Sequence, residues 1–260
     1  MTALTSLYIE HFLVFVLVLS RISGLLIVAP ILGSRSIPMQ IRGILAGSIS
    51  LLITPLQLAN GADIPNSPLQ LSILLAQELA IGLTLGTSVA LLFMGLRLTG
   101  TMIAQMSALG IADVFDPAQG SNVSIFAQLM DGLALSIFLL MSGHRQVMEA
   151  LLSTFQWMPA GQTTMPVGTL DMLIDILHQS FVLGIRAGAP IATSLLLSIL
   201  VMGLISRTLP QLNIFAIGFS INSMVLLIML GMSLSAGTWL FQEQITPLLQ
   251  AVTKTLRVDI

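Results

Sequence analysis

Six ionisable side chains sit inside otherwise apolar stretches: Arg21, Glu78, Asp131, Asp175, His178 and Arg186. An ionised group in hydrocarbon costs several kcal/mol unless it is paired or hydrated, so each of these demands a partner or water. Asp175 and His178 stand three residues apart and share a helix face, a spacing that suits a proton relay and equally a hydrogen-bonded packing pair. With Glu78 they would make the midplane site of a proton-coupled small-molecule transporter, although the internal repeats that such transporters carry are missing. No other chemistry is spelled out. There is no G-x-S-x-G elbow, H-E-x-x-H helix, phosphate loop or G-x-G-x-x-G turn. His11, His144 and His178 lie far apart, and the chain has no cysteine. The sequence therefore predicts no catalytic residue, no metal site and no cofactor.

Apolar helices have to hold these groups. The 260 residues include 9 basic and 11 acidic ones, so 8% are charged and 55% hydrophobic, against about 25% charged in a soluble domain. So few charges cannot cover a water-exposed surface, which excludes a cytosolic enzyme. A net charge of -2, with Lys254 the single lysine among scattered arginines, excludes nucleic acid as a partner.

Runs long enough to cross a bilayer extend from Phe12 to Leu32, Ile41 to Ala59, Leu69 to Leu98, Val123 to Ser142, Leu173 to Leu204 and Ile214 to Phe241. Glycine- and proline-bearing linkers separate them, with Asn66-Ser67 before Pro68 and Ser121 or Asn122 before Val123 as helix-start signals. Pro55 and Pro190 fall within the runs and are expected to kink or divide their helices. Residues 144–157 place Val147, Met148, Leu151, Leu152 and Phe155 at helical spacing, which predicts an amphipathic surface helix.

The fold class is thus all-α: about six hydrophobic segments in helical hairpins, some kinked or split, in a single domain over residues 1–260. Three glycine pairs spaced by four, Gly43/Gly47, Gly82/Gly86 and Gly184/Gly188, allow close backbone approach, either within the chain or to another subunit.

Several segments, taken in order, resemble the FliR family, the R (or T) subunit of the type III protein export gate. They are Arg21-Ile22-Ser23-Gly24 through Pro30, Gly33 and Pro38 to Arg42; Glu78 with Gly82 and Gly86; and Gly100 through Gln105 and Gly110 to Asp116-Pro117. The most specific stretch leads from Gly203 to Arg207, then Pro210, Gln211, Asn213 and Phe215, and on to Gly218 and Phe219. Ser220 stands where that family usually has proline.

The resemblance implies a non-enzymatic core component of the flagellar export gate, multi-pass in the bacterial inner membrane at the flagellar basal body. It also implies FliP-type and FliQ-type subunits and the FlhB-type substrate-switch protein as partners, membrane lipid around the assembly, and unfolded flagellar proteins as cargo. A pore plug in that family corresponds by position to residues 105–122, with Gln105, Met106, Leu109, Gly110, Ile111, Ala112, Asp113, Val114, Phe115, Asp116 and Pro117 as its gating residues. On the residues alone this apolar loop, too short to span and interrupted by Asp113 and Asp116, also reads as an ordinary buried connection between helices.

Overall fold

The computed structural model describes residues 2–30, 37–59, 67–107, 125–162, 166–209, 211 and 214–256. Its elements are all helices: α1 (Thr2–Val28), α2 (Met39–Ala59), α3 (Pro68–Met106), α4 (Ile125–Leu140), α5 (Gly143–Trp157), α6 (Thr169–Thr208) and α7 (Ile214–Leu256). The all-α expectation holds. Helices α1, α2, α3 and α6 are each long and apolar enough to cross a membrane, and the count reaches six when α4 with α5, and the two halves of α7, are each taken as one bent span.

The helices end where the local chemistry requires. Helix α1 stops before Pro30, with Ala29 N–H donating to Leu25 O at 2.9 Å as its last bond, because the residue before a proline is pushed out of the helical region. Pro68 opens α3, where its missing N–H is no loss. Asp171 in the first turn of α6 and Arg207 in its last turn both oppose the helix dipole. The helices also outrun the apolar stretches: α1 begins at Thr2 and not at Phe12, α3 continues to Met106 and α7 to Leu256. Once a helix is nucleated, each added residue gains a backbone bond, so the polar flanks follow the apolar middle.

The expected division at the prolines does not occur. Pro55 lies inside α2, Pro190 inside α6 and Pro247 inside α7. Pro55 and Pro190 are on exposed faces. Next to Pro190, the Ser194 hydroxyl donates to Pro190 O and the Thr193 hydroxyl to Ala189 O, both at 2.8 Å, so side chains bind carbonyls in this turn.

Between α4 and α5, Ser142 has φ 55° and ψ 32°, a left-handed conformation held without a side-chain cap. A non-glycine residue there costs about 1–2 kcal/mol, part of which glycine returns as lost chain entropy. Ser142→Gly should therefore raise stability by up to about 1 kcal/mol, seen as a higher melting temperature in detergent. A lower one would show that the Ser142 side chain holds something in place.

The chain divides into two compact units, residues 1–91 with 142–176 and 246–260, and residues 92–141 with 177–245. In the first unit α1 packs on α2, and Leu17, Ile22 and Leu25 of α1, Ile81 and Leu85 of α3, and Leu151 and Phe155 of α5 are all buried. Helix α5 buries Val147, Ala150, Leu151, Thr154 and Phe155, while His144, Arg145, Glu149 and Gln156 are exposed. Buried Ser50, Thr54, Thr84 and Ser88 return their hydroxyls to carbonyls four residues back, which satisfies them without a distant partner.

In the second unit Phe93 meets the rings of Phe138 and Phe241 edge-on, each at 5.5 Å between centroids. Ile103, Ile191, Leu195 and Leu226 form a buried cluster in the same unit. The Ser198 hydroxyl donates to Asn222 Oδ1 at 2.6 Å, joining α6 to α7.

Candidate functional site

The two charges least tolerable in hydrocarbon, Arg21 and Glu78, are both fully buried in the first unit and solve each other's problem. Arg21 Nε donates to Glu78 Oε2 at 2.6 Å. The guanidinium also donates to Thr154 Oγ1 at 3.2 Å and to Met158 O at 3.0 Å, and lies 4.1 Å above the Phe155 ring. Glu78 Oε1 accepts the Gly161 N–H at 3.0 Å. Beside them, buried Gln57 accepts from Ala160 N–H at 3.0 Å and donates to Phe155 O at 3.3 Å. A buried ion pair survives only when its remaining donors and acceptors are also met, and here α5 and the turn after it meet them.

Arg21 and Glu78 were singled out on sequence; Gln57, Thr154, Met158 and Gly161 were not. Gln57 carried a signal, since it is an amide inside an apolar run, and Thr154 another, since it interrupts the apolar face of α5. The role of Met158 is a backbone carbonyl and that of Gly161 a backbone N–H, which no sequence pattern reveals.

Around the pair α1 and α3 touch backbone to backbone. A Cβ on Gly82 would fall on Arg21 O, one on Gly24 would stand 2.6 Å from Leu79 O, and one on Gly86 2.9 Å from Leu25 O. In the second unit a Cβ on Gly184 would fall on Gly95 O, and Thr99 donates to Gly184 O at 2.6 Å. Two of the three glycine pairs are thus taken up within the chain, whereas Gly43 and Gly47 face open space. Pro38 is exposed just before α2, Arg42 is half-buried on its first turns, and Pro30 follows α1; Gly33 lies outside the described residues.

Gln105 and Met106, grouped with the loop on sequence, belong to the last turn of α3, with Gln105 exposed and Met106 half-buried. Leu109, Gly110, Ile111, Ala112, Asp113, Val114, Phe115, Asp116 and Pro117 lie outside the described residues. The helices on either side of that stretch are joined in the second unit. A Cβ on Gly100 would stand 2.5 Å from Phe126 O, and Arg97 Nε donates to Asp131 Oδ2 at 2.7 Å. The Arg97 and Asp131 side chains are 58% and 26% exposed, so screening keeps the pair's contribution small. Asp131→Asn should lower the melting free energy of the purified chain by less than about 1 kcal/mol; a loss of several would mean that this face meets no water.

Near the turn between α6 and α7, Arg207 is exposed in the last turn of α6 and Gln211 is exposed after it; Pro210 and Asn213 lie outside the described residues. Phe215 falls in the first turn of α7, Gly218 is half-buried and Phe219 is exposed. Helix α7 runs through Ser220 without a break, as a residue with a backbone N–H permits.

Asp175 and His178 are both exposed on α6, while Glu78 is buried and committed to Arg21. That arrangement does not assemble a proton site from the three. Among the described residues, no three His, Asp or Glu side chains gather where they could hold a metal ion.

Residues 12–248 match the family described as bacterial export proteins, family 1. The chain belongs to this family. The matched span takes in the buried pair, the glycine contacts and the α6–α7 turn. Within the bacterial export proteins, this chain is similar to the flagellar biosynthetic protein FliR of Escherichia coli strain K12, at 34% identity over 78% of this chain and 77% of the relative. It is also similar to the FliR of Aquifex aeolicus, at 28% over 86% and 87%, and to that of Bacillus subtilis strain 168, at 26% over 85% and 86%.

Proposed function

We propose that this chain is a non-enzymatic core component of the flagellar type III protein export gate, a multi-pass protein of the bacterial inner membrane in the flagellar basal body. The observation that carries this reading is a family match over residues 12–248, laid on apolar helices of which the chain itself leaves two, α2 and α6, largely uncovered. Only 22% of the most apolar stretch of α6 and 28% of that of α2 is buried. Lipid and neighbouring subunits must cover the rest. The subunits that fit are FliP-type, FliQ-type and FlhB-type proteins, and the cargo is unfolded flagellar protein.

In this reading residues 105–122 restrict the conduit. Leu109 to Phe115 supply apolar bulk, Gly110 supplies backbone freedom, Asp116-Pro117 closes the segment, and Gln105 and Met106 form its helical root on α3. Deleting Gly110 to Val114 should raise ion leak through assembled complexes in the membrane, and unchanged conductance would remove the plug role. The assignment as a whole is tested by complementing a strain that lacks its own R-type subunit and measuring hook protein in the culture medium. Export without this chain, or purification as a lone monomer that needs no companions, would count against it. Proton-coupled transport is the weaker reading, because Glu78 is sealed in an ion pair instead of opening to water.

A further inference from the structure

We propose that Arg21, Glu78 and Gln57 form a polarised socket that caps the C-terminal end of α5 from outside the helix and captures the turn at residues 158–161. A helix leaves its last four carbonyls without partners inside the helix, and those at a buried end must be met by something else. Helix α5 ends in a buried environment, with Thr154, Phe155, Met158 and Ala160 all inaccessible or nearly so. It has no left-handed glycine cap there: Met158 has φ -126°, and its N–H returns to Thr154 O at 2.8 Å.

Three other helices supply partners for one of those carbonyls, Phe155 O, and for the backbone of the turn that follows, in an order that matches the chain. Phe155 O accepts from Gln57 Nε2, Met158 O accepts from Arg21 Nη2, Ala160 N–H donates to Gln57 Oε1, and Gly161 N–H donates to Glu78 Oε1. Two carbonyls thus meet two donors, and the two N–H groups that follow meet two acceptors. The cation stands at the helix C-terminus, where the dipole favours it, and the anion meets the Gly161 N–H while the neutral Gln57 amide oxygen takes that of Ala160. Thr154 fits the same polarity, since its hydroxyl donates to Leu151 O at 2.6 Å and so offers its oxygen to Arg21. Gly161, at φ 87°, gives the turn the backbone shape that aims its N–H at Glu78.

The pair therefore does more than neutralise two charges between α1 and α3. It has a direction, and exchanging its members would place an acceptor against Met158 O and a donor against Gly161 N–H. The absence of native cysteine allows a direct test on the full chain in detergent. Ala160→Cys places a buried thiol in the turn, and Leu85→Cys places one in the core of α3. Maleimide labelling at position 160 should quicken about tenfold or more when Arg21→Glu is combined with Glu78→Arg. The same rise should follow Gln57→Leu, which leaves the ion pair intact, while the thiol at position 85 stays protected in that variant. Wild-type protection in the charge-exchanged chain would overturn the proposal, as would unchanged labelling in Gln57→Leu or equal opening at positions 85 and 160.

Discussion

Gly82→Ala should lower the stability of the chain by about 3 kcal/mol or more, at the upper end of what overpacking costs. The added Cβ would land on the carbonyl oxygen of Arg21, with Arg21 C at 2.9 Å and Leu25 N at 3.0 Å behind it. Every one of these atoms is backbone, so no side chain can rotate away and α1 has to move off α3. That movement also draws Arg21 from Glu78. The measurement is the melting transition of the purified chain, with its level in the membrane as a second readout. Gly43→Ala is the control, because open space surrounds that position and alanine favours a helix over glycine by about 1 kcal/mol. Equal melting temperatures for Gly82→Ala and the parent would show that α1 and α3 do not meet as closely as described.

The second large effect comes from Glu78→Leu. Removing one member of a buried ion pair leaves the other charged and unpartnered, at a cost of about 3–5 kcal/mol. Here it also strips an acceptor from Gly161 N–H. Combining Glu78→Leu with Arg21→Met should recover part of the loss, since no bare charge then remains, but not all of it, because Met158 O and Gly161 N–H keep no partner from the pair. A double variant no better than Glu78→Leu alone would mean that the cost lies in packing and not in charge.

Much of this architecture could be read from residue order. Apolar runs bounded by proline and glycine located the helices, and close backbone approach at Gly82 and Gly184 follows from glycines four apart. The helix ends were legible less well, because the polar residues from Thr2 onward and around Gln105 follow helices already nucleated by their apolar neighbours. Pro190 does not divide α6, whose helix runs from Thr169 to Thr208 through it.

The candidate site was half legible. Arg21 and Glu78 announce themselves as charges in apolar stretches, but 57 residues separate them, and nothing local says that they are each other's partner. The turn that completes them enters through main-chain atoms, which any sequence would offer.

The sparse internal cover of α6 has a bearing on how this protein is handled at the bench. Its folded form is finished by whatever coats the helix, so a melting temperature taken on the solitary chain belongs to a protein–amphiphile complex. Exchanging one detergent for another should shift it, and adding the companion subunits should raise it further in proportion to the logarithm of their concentration.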